Sequence, residues 1–425
     1  MNTKLLRALV VSVALCLGWS AAWPAESGAP YPANATFTTV AITPLAIEGL
    51  TMDATGNFYT TGRQTAANKK CPVWRIGQNG SRKSVGFIPN FPACNPSGIA
   101  FDAVGSLYIA DGGLAASIWK VVPDPVGCAS DESDHPLCAA IAASNASSPT
   151  AAFATGVPGT NGLAFDKNGN LWTGDGVTGF GRVWKITAAG ANCTPPAPVT
   201  SCQEVFRIQP MNNSVSFQGT VPDPGVGRVN ATIQPGAANN PQNLVANGLA
   251  FNTDGDLFVA DTARGALWQV KFKADGSLQS EVGCDETFHS KTLCLDNVFV
   301  ADPRLEGVDG IAFDQNGNIW GSVNERNAIA IFGTGAAAEV FRNPVNPNTR
   351  LRNDSATDDS RILEFPTSPF LLGKVFCTAN SDGNRRDNAP NNGGEINAGG
   401  PVGSRGKISC MDQELTSPGL PLPVD

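Results

Sequence analysis

The chain has few charged residues and very few histidines. Only 16% of its 425 residues are charged, two are His, and the formal net charge is −8. A globular protein usually has about 25% charged residues. Because Lys is scarce and no basic patch is visible, the sequence predicts no nucleic-acid partner.

Long apolar runs are also lacking beyond the N-terminus. There, Lys4 and Arg7 precede an apolar stretch, Ala8 to Trp19, and the small residues Ser20 to Ala22. This order predicts a secretory signal peptide over residues 1–25. The alternative, a membrane anchor, is disfavoured because the run is short. The sequence therefore predicts a periplasmic or secreted protein, with no membrane association after cleavage.

Neither CxxC nor the Gly-x-Ser-x-Gly element of serine hydrolases occurs, which disfavours a thiolate metal site and a serine nucleophile. Eleven Cys are present, one of them in the signal. Pairing between sequence neighbours is the simplest arrangement and implies an oxidising compartment. The predicted disulfides are Cys71–Cys94, Cys128–Cys138, Cys193–Cys202, Cys284–Cys294 and Cys377–Cys410.

One repeated segment organises the rest of the chain. Each copy has a Gly, three mostly apolar residues, Asp or Asn, two variable residues, a second Gly and then an apolar-aromatic run. In each copy Asp-x-x-Gly predicts a tight turn between two strands, and two more strands follow. The five copies are residues 48–62, 96–111, 161–175, 247–261 and 309–324.

Four antiparallel strands per repeat indicate an all-β propeller. The segment from Asp359 to about Leu415 resembles a sixth, degenerate blade, with Lys407 to Cys410 as its third strand. The early strand Ala35 to Thr43 can supply the missing fourth strand and close the ring. We predict a six-bladed propeller over residues 35–415 and a tail over 416–425; five or seven blades are the alternatives.

First strands line the channel of a propeller, so the residues before each repeat Gly converge at one mouth. Those residues include Glu48, Asn161, Asn247 and Asp309. Carboxylate and amide oxygens without His or Cys suit Ca²⁺ rather than Zn²⁺. The alternative is ordinary turn chemistry, because Asn or Asp before Gly is common at strand entrances. Asp111, Asp175 and Asp261 end second strands at the same face and are interpreted as turn caps.

The Glu-Gly opening at Glu48, the NGLAF segments at Asn161 and Asn247, and the DGIAFD segment at Asp309 resemble the senescence-marker-protein/gluconolactonase/luciferin-regenerating-enzyme family. The resemblance implies a channel-bound divalent cation, usually Ca²⁺, and lactone hydrolysis. It places the metal ligands at Glu48, Asn161, Asn247 and Asp309, with Asp309 also the presumed base. Glu-Gly-Leu replaces the family's Glu-Gly-Pro, and no secure match exists for its substrate-binding Arg.

We therefore expect a metal-dependent hydrolase of lactones or related esters, a small-molecule substrate and a monomer. Two alternatives stay open, and with them whether the protein is an enzyme. NHL-type propellers, whose repeats fit the same pattern, often only bind ligands or proteins. A lyase of the streptogramin-inactivating type would need a His base near the metal. The two His, His135 and His289, lie in Cys-rich insertions and are interpreted as solvated loop residues.

Overall fold

A computed structural model describes residues 35–64, 69–89, 94–112, 116–143, 152–194, 201–209, 244–262, 264–284, 291–302, 305, 307–324, 327–333, 336–342, 363–381 and 405–420. The predicted signal peptide, His289 and most of the long loops around residues 208–242 and 380–406 lie outside these ranges. Among the described residues, no helix is long and apolar enough to cross a membrane.

Six small, mainly antiparallel sheets form the predicted six-bladed propeller. Blade 1 comprises β2 (Thr51–Met52), β3 (Phe58–Thr61), β4 (Cys71–Ile76) and β5 (Arg82–Ile88). Blade 2 comprises β6 (Pro96–Phe101), β7 (Leu107–Asp111), β8 (Ser117–Val121) and β9 (Ala152–Thr155). Blade 3 comprises β10 (Thr160–Phe165), β11 (Leu171–Asp175), β12 (Arg182–Ile186) and β14 (Cys202–Arg207), with β13 (Ala191–Asn192) between the last two in sequence.

Blades 4 to 6 follow the same plan. Blade 4 comprises β15 (Ala246–Phe251), β16 (Leu257–Asp261), β17 (Ala266–Phe272), β18 (Leu278–Gln279) and β19 (Val298–Ala301). Blade 5 comprises β20 (Val308–Phe313), β21 (Ile319–Val323), β22 (Ala328–Gly333) and β23 (Ala336–Arg342). Blade 6 comprises β24 (Pro366–Leu372), β25 (Val375–Asn380), β26 (Gly406–Met411) and β1 (Phe37–Thr43). Within the described ranges, the insertions contain the short helix α1 (Ala139–Ala142) and the 3₁₀ turns Pro136–Cys138 and Leu295–Asn297.

The N-terminal strand closes the ring as predicted. β1 pairs antiparallel with β26, from Phe37 opposite Met411 to Thr43 opposite Gly406. Thr38 Oγ1 also donates to Asp412 Oδ1 at 2.6 Å. Blade 6 thus combines strands from both ends of the chain, so β26 has no unpaired edge.

The repeated Asp-x-x-Gly segments form the turn between first and second strands, at the end of the channel called the base here. In five blades the side chain of Asp or Asn accepts backbone N–H bonds from the residues two and four positions later. The Gly has positive φ in each, between 76° and 88°, which explains the requirement for Gly. These five turn residues are Asp53, Asp102, Asp166, Asn252 and Asp314.

The hydrophobic core is divided among the spaces between neighbouring blades. One cluster joins Trp172 and Phe206 of blade 3 to Leu249 and Trp268 of blade 4. The third-strand Trp residues are buried, as predicted for core packing, and Trp74 and Trp268 have no exposed surface. Packing between blades therefore holds their first strands in place around the channel.

All five predicted disulfides are formed. Three segments, each containing a disulfide, pair with the outer strand of the preceding blade and cover it. The backbone of Cys128, from blade 2, pairs with that of Ser84 in β5, and the backbone of Thr292, from blade 4, pairs with that of Arg207 in β14. Between them, β13 of blade 3 pairs in parallel with β9 of blade 2. These three segments, called edge covers here, leave fewer unpaired backbone N–H and C=O groups on the outer strands of blades 1 to 3.

The start of the predicted C-terminal tail lies against the base of the propeller. Gln315 N–H donates to the Pro418 carbonyl at 2.7 Å, and Leu420 N–H donates to the Phe313 carbonyl at 3.2 Å. The Leu420 side chain lines the base of the central channel. Residues 417–420 therefore belong structurally to the propeller.

Candidate active site

Six residues, one per blade, form a ring where the first strands begin, at the mouth of the channel. The residue after each is Gly in five blades, and an added Cβ there would lie 2.2–2.6 Å from a carbonyl oxygen of the next blade. Thr367 Oγ1 donates to the Glu48 carbonyl at 2.7 Å and joins blade 6 to blade 1. Only Gly permits this approach of the strands. The ring residues are Glu48, Ser97, Asn161, Asn247, Asp309 and Thr367.

The structure thus brings the four predicted site residues to equivalent positions on blades 1, 3, 4 and 5. The two remaining ring residues have hydroxyl groups that bond to backbone. Ser97 Oγ donates to the Thr160 carbonyl at 3.2 Å, and Thr367 donates to Glu48 as described. These hydroxyls help to hold neighbouring blades together, which separates them from the four acid and amide side chains.

A second layer of residues, called rim residues here, follows the second strand of each blade. In every blade the rim residue donates its N–H to the carbonyl located two residues before the ring residue, at 2.8–3.2 Å. The ring and rim residues of one blade are therefore held side by side. The rim residues are Arg63, Gly112, Gly176, Thr262, Asn324 and Ser381.

Both predicted carboxylates contact their rim residue. Arg63 Nη2 forms an ion pair with Glu48 Oε2 at 3.0 Å. Asn324 Nδ2 donates to Asp309 Oδ2 at 3.1 Å, and both side chains are buried. Each carboxylate is thereby held by a donor on its own blade, while its other oxygen is not used by that bond.

The two predicted amides are also positioned by the rim. Asn247 Nδ2 donates to Thr262 Oγ1 at 3.1 Å, and Thr262 donates onward to the Val308 carbonyl at 2.6 Å. Asn161 lies over Gly176: an added Cβ there would be 2.5 Å from Asn161 Nδ2. The absence of a side chain at position 176 therefore provides the space that the Asn161 amide occupies.

The oxygen atoms of this set suit a hard divalent cation. Asn247 Oδ1 is buried and has no hydrogen-bond donor within the described ranges. Leaving a buried acceptor unpaired costs about 1–3 kcal/mol, and a cation would satisfy it. No group of three His, Cys, Asp or Glu side chains suited to a metal occurs in the described part of the chain. Two carboxylates and two amides, which provide only oxygen acceptors, are the set that could hold Ca²⁺.

The rim residues were not predicted from the sequence, although the second strands that they follow were. Arg63, Thr262 and Asn324 share no residue type, so no repeat motif marks them. The signal is positional: they follow the second-strand runs that end the repeats. The second-strand Asp residues were predicted to be turn caps, which holds for Asp175, because it accepts from Thr178 N–H at 2.9 Å.

The carboxylates of the two other second-strand Asp residues accept from the indole of the third-strand Trp, Asp111 from Trp119 and Asp261 from Trp268, both at 3.2 Å. A buried Trp indole needs such an acceptor. Parts of the segments that follow these two Asp residues lie outside the described ranges, so their interpretation as turn caps stays a prediction.

Below the ring the channel is apolar. Its walls come from the first strands and include Leu163, Leu249, Ile311 and Phe313, and its cavity volume is about 130 Å³. Polar groups are therefore concentrated at the mouth. An incoming substrate with polar reacting atoms would find its hydrogen-bonding partners there and not deeper in the channel.

Other candidate groups are located away from the ring. His135 is exposed in the insertion that covers blade 1, where its Nδ1 accepts from Leu137 N–H at 3.2 Å. Arg264 is almost wholly buried, and burial lowers the pKa of its guanidinium to about 10 despite the nearby Asp261 carboxylate. That residue remains charged at neutral pH but is not exposed to a substrate.

Residues 225–350 match the family model described as SMP-30/Gluconolactonase/LRE-like region. The matched stretch contains Asn247 and Asp309, and it confirms the family resemblance inferred from the repeats. No curated protein sequence matches the chain.

Solved structures of proteins with different names are similar to the chain. A luciferin-regenerating enzyme is 13% identical with a TM-score of 0.51, covering 91% of this chain and 98% of its own. A gluconolactonase from Xanthomonas campestris is 12% identical, with a TM-score of 0.45 and coverages of 91% and 90%. A virginiamycin B lyase from Staphylococcus aureus is 13% identical, with a TM-score of 0.42 and coverages of 88% and 98%. At 13% identity the likeness to the luciferin-regenerating enzyme shows the fold alone and leaves the activity to be argued from the site.

Proposed function

We propose that the protein is an exported, metal-dependent hydrolase of lactones or related esters. The observation that carries this proposal is the ring of Glu48, Asn161, Asn247 and Asp309, in which a buried amide oxygen of Asn247 has no donor among the residues that the structure describes. The family match over residues 225–350 supports the same class of activity. Disulfides support an oxidising compartment, periplasmic or extracellular.

The four ring side chains would hold the cation, which we assign as Ca²⁺ because the set provides only oxygen ligands. When bound, such a cation supplies positive charge that polarises an ester carbonyl. The ligands are anchored independently of it, because Arg63 holds Glu48 and Thr262 holds Asn247. With Arg63 included, the two carboxylates and one guanidinium have a net charge of −1, so the site attracts a cation.

Asp309 is the residue placed to accept a proton from the attacking water. Its Oδ2 is fixed by the Asn324 amide, which orients the carboxylate at the mouth. In the reaction, the water oxygen bonds to the lactone carbonyl carbon and one proton passes to Asp309. The ring C–O bond then breaks, the alkoxide leaving group takes that proton back from Asp309, and a hydroxy acid is released.

Metal analysis and a lactone panel test the proposal. Purified protein should contain one equivalent of Ca²⁺ and hydrolyse γ- or δ-lactones, and EDTA should abolish the activity reversibly. Asp309→Ala should lose both the metal and the activity with the fold intact. The matched control is Asp254→Ala, an exposed carboxylate in the base turn of blade 4, which should change neither.

Two results would decide against this function. Protein that contains no divalent metal and hydrolyses no lactone would favour the non-catalytic, ligand-binding alternative. Full activity in EDTA would reject the metal-dependent mechanism. The streptogramin-lyase alternative requires a His near the ring, and His135 lies instead against blade 1; the other His lies outside the described residues.

A further inference from the structure

The side-chain amide of Asn324, the rim residue of blade 5, is only half explained by its contact with Asp309. Its Nδ2 donates to Asp309 Oδ2, whereas its Oδ1 is buried and has no donor among the described residues. Turning the amide over would place Oδ1 against the carboxylate, and two acceptors repel each other. The contact with Asp309 therefore fixes which atom of Asn324 is left without a partner.

The backbone holds Asn324 in this position. Its N–H donates to the Gly307 carbonyl at 2.9 Å, and its carbonyl accepts from Asn327 N–H at 3.2 Å. Asn327 Oδ1 accepts in turn from Phe365 N–H at 2.8 Å, at the start of blade 6. Because Asn324 is bonded on both sides, its amide oxygen is held in place before any ligand binds.

Asn324 and Asn247, whose buried amide oxygens both lack a described donor, are both neighbours of Asp309. Asn324 bonds to the Asp309 carboxylate itself. Asn247 comes from blade 4, where Thr262 holds its amide and donates to the Val308 carbonyl, directly before Asp309. The two oxygens thus belong to side chains grouped around one carboxylate of the ring.

A calcium ion suits the Asn324 oxygen better than a water molecule does. The oxygen is shielded from solvent, so water does not reach it. A hydrogen-bonded water oxygen lies about 2.7–2.8 Å from an acceptor oxygen, whereas Ca²⁺ lies about 2.3–2.6 Å from its ligands. Since Ca²⁺ takes about six to eight oxygens, the four ring side chains leave places for another.

The lack of a donor does not identify a ligand by itself, as Asn297 shows. This residue lies in the insertion outside blade 4 and is also buried with no described donor to its Oδ1. Its Nδ2 donates only to backbone carbonyls among the described residues, those of Gln269 and Gln279, at 2.9 and 3.1 Å. Asn324 differs in its position beside a ring carboxylate, and Asn297 is its matched control.

We propose that Asn324 is a fifth protein ligand of the cation, through Oδ1, while its Nδ2 holds Asp309. Blade 5 then provides two ligands, one from the ring and one from the rim. The same side chain binds the cation and orients the carboxylate assigned as the base. This inference rests on the proposed function for the presence of the cation.

Two substitutions separate the amide oxygen from the amide donor. Asn324→Asp keeps an oxygen at the Oδ1 position and loses the donor, whereas Asn324→Ala loses both. In calorimetric titration of the metal-free protein with Ca²⁺, Asn324→Ala should lose about tenfold or more in affinity. Asn324→Asp should bind at least as tightly as the wild type, because it retains the ligand oxygen.

A count of metal-bound waters distinguishes a ligand from a supporting residue. Eu³⁺ takes oxygen ligands as Ca²⁺ does, and its luminescence lifetimes in H₂O and D₂O report how many waters it binds. With Eu³⁺ bound, Asn324→Ala should show about one more bound water than the wild type, since water replaces the lost oxygen. Asn324→Asp should show the wild-type number. Asn297→Ala and Asn297→Asp should change neither the number nor the Ca²⁺ affinity.

The outcomes distinguish this inference from the proposed function. If Asn324→Ala weakens Ca²⁺ binding but leaves the number of bound waters unchanged, Asn324 only supports Asp309 and the inference is overturned. Wild-type affinity in Asn324→Ala would also overturn it. Either result leaves the metal-dependent hydrolase in place. A wild-type protein that binds neither Ca²⁺ nor Eu³⁺ would overturn both.

Discussion

At the scale of residues, the candidate site depends on pairs formed within each blade. Glu48, Asn247 and Asp309 each contact their own rim residue, and Asn161 uses the space that Gly176 leaves. Such supporting contacts set the orientation of metal ligands, and their loss typically reduces metal affinity about 10–100-fold. Mutations of rim residues other than Asn324 can therefore perturb the candidate site without removing a proposed metal ligand.

Gly176→Ala is predicted to weaken calcium binding while leaving the fold intact. The added Cβ would lie 2.5 Å from Asn161 Nδ2 and 2.8 Å from its Cβ, so the Asn161 side chain must move. We expect about a tenfold loss of affinity, measured by calorimetry. Gly333→Ala is the control, because its added Cβ would have one neighbour, at 3.7 Å. Unchanged affinity in Gly176→Ala would mean that Asn161 is not a ligand in this protein.

The acid and amide residues of the ring could be predicted from the sequence because they precede a repeated Gly. Their rim partners could not, because a guanidinium, a hydroxyl, an amide and a missing side chain all perform the same supporting role. Which one is present depends on the ring residue beside it, and that pairing is a tertiary contact. The sequence therefore predicts only those residues of the candidate site that belong to the repeat.

At the scale of elements, the strands were largely predictable and the insertions were not. Alternating apolar residues and Asp-x-x-Gly turns mark strands locally, as in β10 and β11 of blade 3. The insertions carry no periodic pattern. Which blade an insertion contacts depends on which outer strand has backbone groups available for pairing. The loop containing His135 accordingly lies on blade 1, where Ser84 and Cys128 exchange backbone hydrogen bonds.

Asp131 is predicted to be the main polar anchor of that insertion. Its Oδ1 accepts from Trp74 Nε1 at 2.8 Å, and both its oxygens accept from Arg82. Because Trp74 is fully buried, Asp131→Ala leaves an indole N–H unpaired and should lower the free energy of unfolding by about 1–3 kcal/mol.

Chemical denaturation measures this loss. Asp134→Ala is the matched control, since Asp134 is an exposed carboxylate in the same loop. We expect that control to change stability by no more than about 0.5 kcal/mol. Equal destabilisation by the two variants would show that the insertion is held by its charge in general and not by the bond to Trp74.

At the scale of the whole molecule, the ring is closed by one strand from the opposite end of the chain. β1 alternates buried and exposed side chains across a register shift between Thr39 and Ala41. This closure was predictable because a fourth strand precedes every repeat, and one copy was missing from blade 6. The contacts of residues 417–420 with the base were not predictable, since they have no repeat pattern.

Two neighbouring substitutions test the register of β1. Ala41 is 7% exposed and Ile42 is 43% exposed. Ala41→Asp should bury a carboxylate in the core, separate β1 from β26 and produce aggregation or a large fall in Tm. Ile42→Asp should leave Tm nearly unchanged. Differential scanning fluorimetry and size-exclusion chromatography provide the measurements, and the reverse order of effects would contradict the register.

The edge covers also have a consequence for the order in which the protein can be completed. Each of the three covers belongs to the blade that follows the one it protects. During synthesis, blade 1 therefore remains bare along its outer strand until blade 2 has been made, and the same delay recurs for blades 2 and 3. For blades 1 to 3, the newest blade of the growing chain is thus the one with a bare outer strand. Blade 6 is completed in a different way, when β26 pairs with the N-terminal strand β1.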